Sequence, residues 1–280
     1  MKKSLLPLAG LAALCLTSCG QTTFDNSKLV IGLECAYAPF NWAENAENEH
    51  TLKVQNKAGV YADGYDIQMA KILGNKLGID VEIHQIAWED LILGLQTGAI
   101  NAVVAGMTDT EERRMTIDFT NEYYRSELVL VVPSDVASTY DHALSAEEFG
   151  ELINNKIVVS QSSTVTNDVI DTFVANYNAI HANPVDTFAL AAQDVSNESA
   201  FAMTAELPVA RSIISSFSNL GILHIDQSIL GEAQAKLGVS IGVAKGNNEL
   251  RNSLNAALSE ITTEQRNDMM EQAVIRSANK

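Results

Sequence analysis

Cysteine is nearly missing from this chain of 280 residues, and where the three copies fall decides what they can do. Cys15 and Cys19 sit in the first nineteen residues, which leaves Cys35 alone in the rest of the chain. A single remaining thiol excludes an internal disulfide framework, so the folded part must be held by core burial. Basic residues are also scarce. Eighteen Lys and Arg stand against 35 Asp and Glu, a formal charge of -17. Such a balance argues against a nucleic-acid binder, which needs basic stripes, and is compatible with cationic ligands without choosing one. The five histidines, His50, His84, His142, His181 and His224, are scattered without ligand spacing, so no metal site is expected. No G-x-S-x-G elbow occurs, no low-complexity segment interrupts the chain, and beyond the N-terminus no apolar run approaches the roughly 20 residues of a membrane span.

The apolar run that does exist is short and comes first. MKKSLLPLAGLAALCLTS carries two lysines, an apolar stretch and then small residues, the order of a secretory signal over residues 1–18. Leu16-Thr17-Ser18-Cys19 closes it and resembles the lipobox of bacterial lipoproteins, which implies lipidation at Cys19 and an exported protein tethered to the outer face of the cell membrane. Two acyl chains would give the stable anchoring that one lacks. Residues 19–27 then read as a polar linker.

From Lys28 onward, β-rich runs alternate with helix-period stretches: KLVIGLE, GYDIQMAKILGNKLG, DVEIHQI, WEDLILGLQTG and NAVVAG. Alternation of this kind builds βαβ units with helices covering a sheet. Ile67, Ala70, Leu73 and Leu77 share one face of the first helix, and Gly78 stands where a helix C′ residue belongs. The pattern restarts after VVPSD with KIVVSQ, a helix over about 164–176, a short strand near 179–182, a helix near Phe188, FAMTAE and a helix after Pro208. LGVSIGVAK and a helix with Leu250, Leu254, Ala257, Leu258 and Ile261 on one face follow. Two α/β lobes are therefore expected, joined by extended segments near 128–132 and 237–244, with lobe I over 28–131 plus 242–280 and lobe II over 132–241. Ligands of open α/β sheets bind beyond the carboxyl ends of strands, so ECAYAPFNW, AGMTDTEERR, SQSSTVT and AELPVA are the loops to inspect.

In that order these loops resemble the extracellular solute-binding proteins for polar amino acids, the substrate receptors of ABC importers. The resemblance rests on Tyr37-Ala38-Pro39-Phe40, Gly64-Tyr65-Asp66-Ile67, Gly106-Met107-Thr108 with Thr110 and Arg113, Asp118-Phe119-Thr120, and Glu206-Leu207-Pro208-Val209-Ala210. It implies a two-lobed periplasmic-binding-protein-like α/β fold of the second type, each lobe a mixed sheet flanked by helices, with two hinge strands. It also implies a monomeric, non-enzymatic binder of a free amino acid that docks on permease subunits and needs no cofactor.

The resemblance assigns the α-carboxylate to Arg113, aided by Thr108 and the backbone of Ala105, Gly106 and Met107. A guanidinium with backbone N–H groups is a good match for a carboxylate. Arg114 reads as a solvated neighbour. Glu206 would take the α-ammonium, although aspartate is common there and the longer side chain must withdraw by about one methylene; it also suits a helix N-terminus. Thr164 and Thr166 would donate from the opposite lobe, or serve as a helix cap and first turn. Ser163 stands where the family often has glycine, so either the backbone there avoids positive φ or serine tolerates it. Glu34, Tyr37 and Trp88 would flank the ligand's side chain, against the competing readings of a solvated acid and core aromatics. If Glu34 reaches the pocket, arginine, lysine, histidine, ornithine or glutamine is favoured. Cys35 reads as a small buried hydrophobe, and Tyr65 and Asp66 as structural. Rival classes are an enzyme on the same scaffold, such as a dehydratase or lytic enzyme, and a sensory ligand-binding domain.

Overall fold

The computed structural model describes residues 25–278. The expected signal segment and the expected lipidation site Cys19 lie outside them.

Apolar runs flanked by turns become strands, and they sort into two five-stranded sheets. The first runs Asp80–Gln85, Lys28–Leu33, Ala102–Val103, Gly238–Ala244, Ile117–Arg125 in spatial order. Lys28–Leu33 pairs in parallel with both of its neighbours, whereas Gly238–Ala244 pairs antiparallel with Ala102–Val103 and Ile117–Arg125. The second sheet runs Ile180–His181, Ile157–Val159, Ala202–Glu206, Leu128–Pro133, Leu220–Leu223. Leu128–Pro133 is antiparallel to both neighbours, and the other pairs are parallel. Both sheets are thus mixed, with helices against them.

Pairing relocates the expected lobe boundaries. Leu128–Pro133 lies wholly in the second sheet and Gly238–Ala244 wholly in the first, so neither strand is divided at 131/132 or 241/242. The chain changes lobes at Ser126 and Glu127 on the way out. It returns between Leu237, buried in the second lobe's core, and Gly238, the first residue of its strand. The physical reason is plain: both runs are buried along almost their whole length, and a strand buried on both faces carries no sequence mark of its partner.

The first helix is Tyr65–Leu77, with Ile67, Ala70 and Leu73 buried, and it ends at Gly78 in the left-handed conformation (φ 67), whose N–H bonds to the carbonyl of Gly74. A third, four-stranded sheet, Ala36–Tyr37, Asn41–Glu44, Tyr61–Asp63, Leu52–Lys53, lies beside the first lobe's helices and was not expected. Arg276 in the last helix, Thr263–Ala278, ties to it through paired 3.0 Å hydrogen bonds to the two carboxylate oxygens of Asp63. Among the described residues no helix is long and apolar enough to cross a membrane.

Candidate functional site

Each residue of interest leaves the end of a strand or opens a helix. Lys28–Leu33 delivers Glu34, and Ala102–Val103 delivers the turn at Gly106. The Gly106 φ of 61 is in the left-handed region, and a Cβ there would lie 2.6 Å from the Tyr37 ring, so both backbone and space require glycine. Its N–H donates to the Tyr123 hydroxyl at 2.8 Å, which in turn donates to Asp66 at 2.7 Å. Asn41 donates to the other Asp66 oxygen at 2.9 Å. Asp66 and Tyr65 are fully buried, so their structural reading holds, and the Asp66–Tyr123 pair fixes the turn from behind.

That turn presents Tyr37 as the middle ring of a three-ring stack. Phe40 lies 4.9 Å away in the same lobe and Phe188 5.1 Å away in the other, both nearly parallel to it. Phe188 opens the helix Phe188–Ser196, capped by Thr187.

Arg113 reaches across the gap. Its Nη1 donates to the carbonyl of Thr108 at 2.7 Å and its Nη2 to the carbonyl of Ser163, in the second lobe, also at 2.7 Å. The guanidinium lies 5.4 Å from the Trp88 ring centroid, within cation–π range. It makes no ion pair among the described residues. Burial lowers its pKa, yet a guanidinium remains charged in a protein. Arg114 instead grips Asp109 at the surface with two 2.6 Å bonds, as a solvated neighbour should.

In the second lobe Ser163 has a φ of 58, which settles the open alternative: serine adopts the left-handed conformation. This aims its carbonyl at the first lobe, where it accepts from both Arg113 and, at 3.2 Å, Trp88 Nε1. Thr164 caps the helix Val165–Tyr177 through Asn167 N–H at 3.1 Å and donates to the Gln161 carbonyl at 2.7 Å. Its capping reading is therefore realised, and it lines the gap as well.

Two acids close the constellation. Glu34 is 8% exposed; one oxygen accepts from Gln161 Nε2 at 3.3 Å and the other has no hydrogen-bond partner. Burial pushes its pKa up to about 7, against a smaller lowering by the Gln161 bond. Glu206 ends the strand Ala202–Glu206 and precedes the helix Leu207–Ser216, yet its side chain makes no capping bond. One of its oxygens is buried and unpartnered, and burial raises its pKa against the hydrogen bonds from its own backbone and from Tyr37.

Together these groups enclose a cavity of about 10 Å3 between the sheets, room for about one water molecule with the lobes this close. Glu34, Tyr37, Trp88, Gly106, Thr108, Arg113, Thr164 and Glu206 line it, joined by Gln161, Val165 and Phe188. The side chains of Ala105 and Met107 do not: these residues are 0% and 1% exposed in the core, which leaves them the backbone role alone. Ser163 contributes through its carbonyl, from outside the wall. Thr166 is turned inward, its hydroxyl taken by Ser160 at 3.1 Å and Thr164 at 2.8 Å. The signals for the missed residues were weak. Gln161 is a polar residue two places beyond the strand Ile157–Val159, and Phe188 an aromatic at a helix start, with nothing in sequence to bring it to Tyr37. Among the described residues no group of three or more His, Cys, Asp and Glu is placed to hold a metal ion. Cys35, 5% exposed, is the buried small residue expected, its thiol pushed up to about 12 by burial.

The sequence profile described as "Bacterial extracellular solute-binding proteins, family 3" matches residues 29–273. The arginine-binding extracellular protein ArtP of Bacillus subtilis (strain 168) is 31% identical over 140 residues, covering 48% of this chain and 49% of that protein. Over nearly the whole length, the probable ABC transporter arginine-binding protein ArtJ of Chlamydia trachomatis serovar D is 27% identical, covering 92% of this chain and 90% of its own. The crystal structure of the amino acid ABC transporter substrate-binding protein AbpA from Streptococcus pneumoniae bound to L-arginine superposes with a TM-score of 0.72 at 21% identity. That alignment covers 91% of this chain and 97% of the other, and at that identity it speaks for the two-lobed fold.

Proposed function

Because the chain belongs to the bacterial extracellular solute-binding proteins of family 3, we propose that it captures a free basic amino acid between its lobes and delivers it to the permease of an ABC importer. The observation that carries this is a charge count. Among the described residues, one cavity holds a guanidinium with no ion-pair partner and two carboxylates that each keep a buried, unpartnered oxygen. Buried charges are stable only when paired and hydrogen-bonded. A basic amino acid offers the complement: a carboxylate for Arg113, an α-ammonium for Glu206 and a side-chain cation for Glu34.

The roles follow from donors and acceptors. The ligand carboxylate meets Arg113 and the Thr108 hydroxyl from one lobe and the helix start at Thr164 and Val165 from the other, where amide groups and the helix dipole favour an anion. Tyr37 and Phe188 form one wall for the aliphatic stem and Trp88 another. Gln161 and Glu34 receive the terminal nitrogen. Arginine heads the candidates, ahead of lysine, ornithine, histidine and glutamine, because it offers the most donors to two neighbouring acceptors. The names of the relatives favour it too.

Transport requires release, and the arrangement supplies a hinge for it. Each lobe holds part of the contacts, so the ligand binds the closed form more tightly than the open one, and that difference drives closure. Only two residues, Ser126 and Glu127, and the Leu237–Gly238 link carry the chain between the sheets. The protein acts as a monomer, free of nucleic acid, held to the outer face of the membrane by a lipid on Cys19. No bond is made or broken in the cavity, since both acids and the cation are used in holding the ligand.

A thermal-shift panel of the amino acids with ornithine tests the reading. A ligand present at 100 times its dissociation constant stabilises by about 2.7 kcal/mol. Basic amino acids should raise Tm and be recovered unaltered after incubation. A panel without any shift would remove the receptor assignment, and a converted ligand would restore the enzyme class.

A further inference from the structure

Glu34 and Trp88 are walls of two pockets, not one. Besides the ligand cavity they border a second space of about 440 Å3, bounded by Ala36, Lys57, Ala87 and Glu89 of the first lobe and by Ser162 and Asp186 of the second. The Glu34 side chain stands at the border between them. Its backbone is fixed by a 2.9 Å bond from Gln85 Nε2 to its carbonyl, whereas its carboxylate is held only by Gln161 at 3.3 Å, beyond the usual N–H···O range of about 2.7–3.2 Å. The other oxygen holds to nothing. This carboxylate is therefore loosely held, and its rotation would open a passage between the two spaces.

The lining of the second space has its own chemistry. Glu34, Glu89 and Asp186 outweigh Lys57, and none of the four is in an ion pair among the described residues. Beside these acids stand the Trp88 ring and the methyl groups of Ala36 and Ala87. An aromatic face with methyl groups and surplus negative charge suits a cation that carries alkyl groups. Such a cation keeps its charge, gives up donors and gains apolar surface. The rim is bridged between lobes by the 2.9 Å bond from Ser162 Oγ to Glu89, so closure would enclose whatever extends there.

We propose that the receptor accepts basic amino acids alkylated on the terminal side-chain nitrogen, with the alkyl group passing Glu34 into this second pocket. The inference rests on the reading of the cavity as a basic amino-acid site. A methyl group extends the ligand by only about one bond, ~1.5 Å, a short reach past Glu34.

Calorimetry on the mature chain with L-arginine and Nω-monomethyl-L-arginine tests it, repeated on Ala87→Phe, which narrows the second pocket away from the cavity. The methylated ligand should bind within about tenfold of arginine, and Ala87→Phe should weaken it by more than about tenfold while leaving arginine nearly unchanged. Arginine binding more than about tenfold tighter than its methylated form, or equal responses of both ligands to Ala87→Phe, would overturn the proposal while the receptor reading stands. Failure of both ligands to bind the unsubstituted chain would overturn the proposal together with the choice of arginine, and the receptor reading would then rest on the amino-acid panel.

Discussion

Arg113 Nη2 and the carbonyl oxygen of Ser163 meet at 2.7 Å, a hydrogen bond that joins the two lobes directly over the cavity. Trp88 and Ser162 add further interlobe bonds at 3.2 and 2.9 Å, so closure is supported by protein groups as well as by ligand. The carbonyl that occupies Arg113 also shows where a ligand carboxylate would compete, and a carboxylate is the stronger acceptor.

Replacing Arg113 by alanine should cost about 2 to 5 kcal/mol of ligand affinity, the range for truncating one partner of a buried hydrogen-bonded charge pair. Arg113→Lys should recover only part of it, because an ammonium lacks the planar fork. Calorimetry on the three proteins checks this. Unchanged dissociation constants would place Arg113 outside the binding site.

Glu34 should make binding pH-dependent. Its folded pKa of about 7 lies above the ordinary carboxylate value, so the ligand-free protein holds a proton there that the unfolded chain has lost. This term stabilises the fold fully below the unfolded pKa and fades as pH rises through about 7. Binding of a cation runs the other way, since it needs the ionised acid. Affinity for arginine should therefore rise from pH 5.5 to about 7 and then level off, with proton release on binding. Glu206, also raised, acts in the same direction. Glu34→Gln should flatten much of the dependence; an unaltered profile in that variant would assign it elsewhere.

Gly106 and Ser163 share a left-handed backbone, with φ values of 61 and 58, but respond oppositely to substitution. Gly106→Ala drives a Cβ into the Tyr37 ring, and about 1–3 kcal/mol of stability should be lost through strain and displaced packing. Ser163→Gly keeps the carbonyl that Arg113 and Trp88 use and relieves the backbone, so stability should hold or rise by at most about 1 kcal/mol. Denaturant titrations of both variants decide it.

Tyr123→Phe deletes the hydroxyl that accepts from Gly106 N–H and donates to Asp66. Two buried polar groups lose a partner, at about 1–3 kcal/mol each. The expected signature is a lower Tm together with weaker ligand binding, because the Gly106 turn loses its fixed support. A Tm matching that of the unsubstituted chain would show the turn to be held by packing alone.

Much of this was readable in the sequence for identifiable reasons. Alternating apolar runs located the strands, and the loops behind them held Glu34, Gly106, Arg113, Thr164 and Glu206. What was hidden depends on which elements touch. The strands Ala36–Tyr37 and Leu52–Lys53 are two residues long and too short to show alternation. Gly238–Ala244 and Leu128–Pro133 read as hinge strands because burial on both faces masks their partners. Phe188 comes to Tyr37 only through packing of the lobes. Thr166 and Met107 sit in the right loops with their side chains turned into the core, an orientation that loop membership alone does not reveal.

The place of Gly238–Ala244 between Ala102–Val103 and Ile117–Arg125 also orders how the molecule is assembled. All five strands of the second sheet come from one continuous stretch, 128–223, which can finish its pairing as soon as it emerges. The other sheet stays split at its fourth position until residues 238–244 arrive. A chain stopped at Leu237 would therefore keep the half that carries Glu206 and lose the half that carries Arg113.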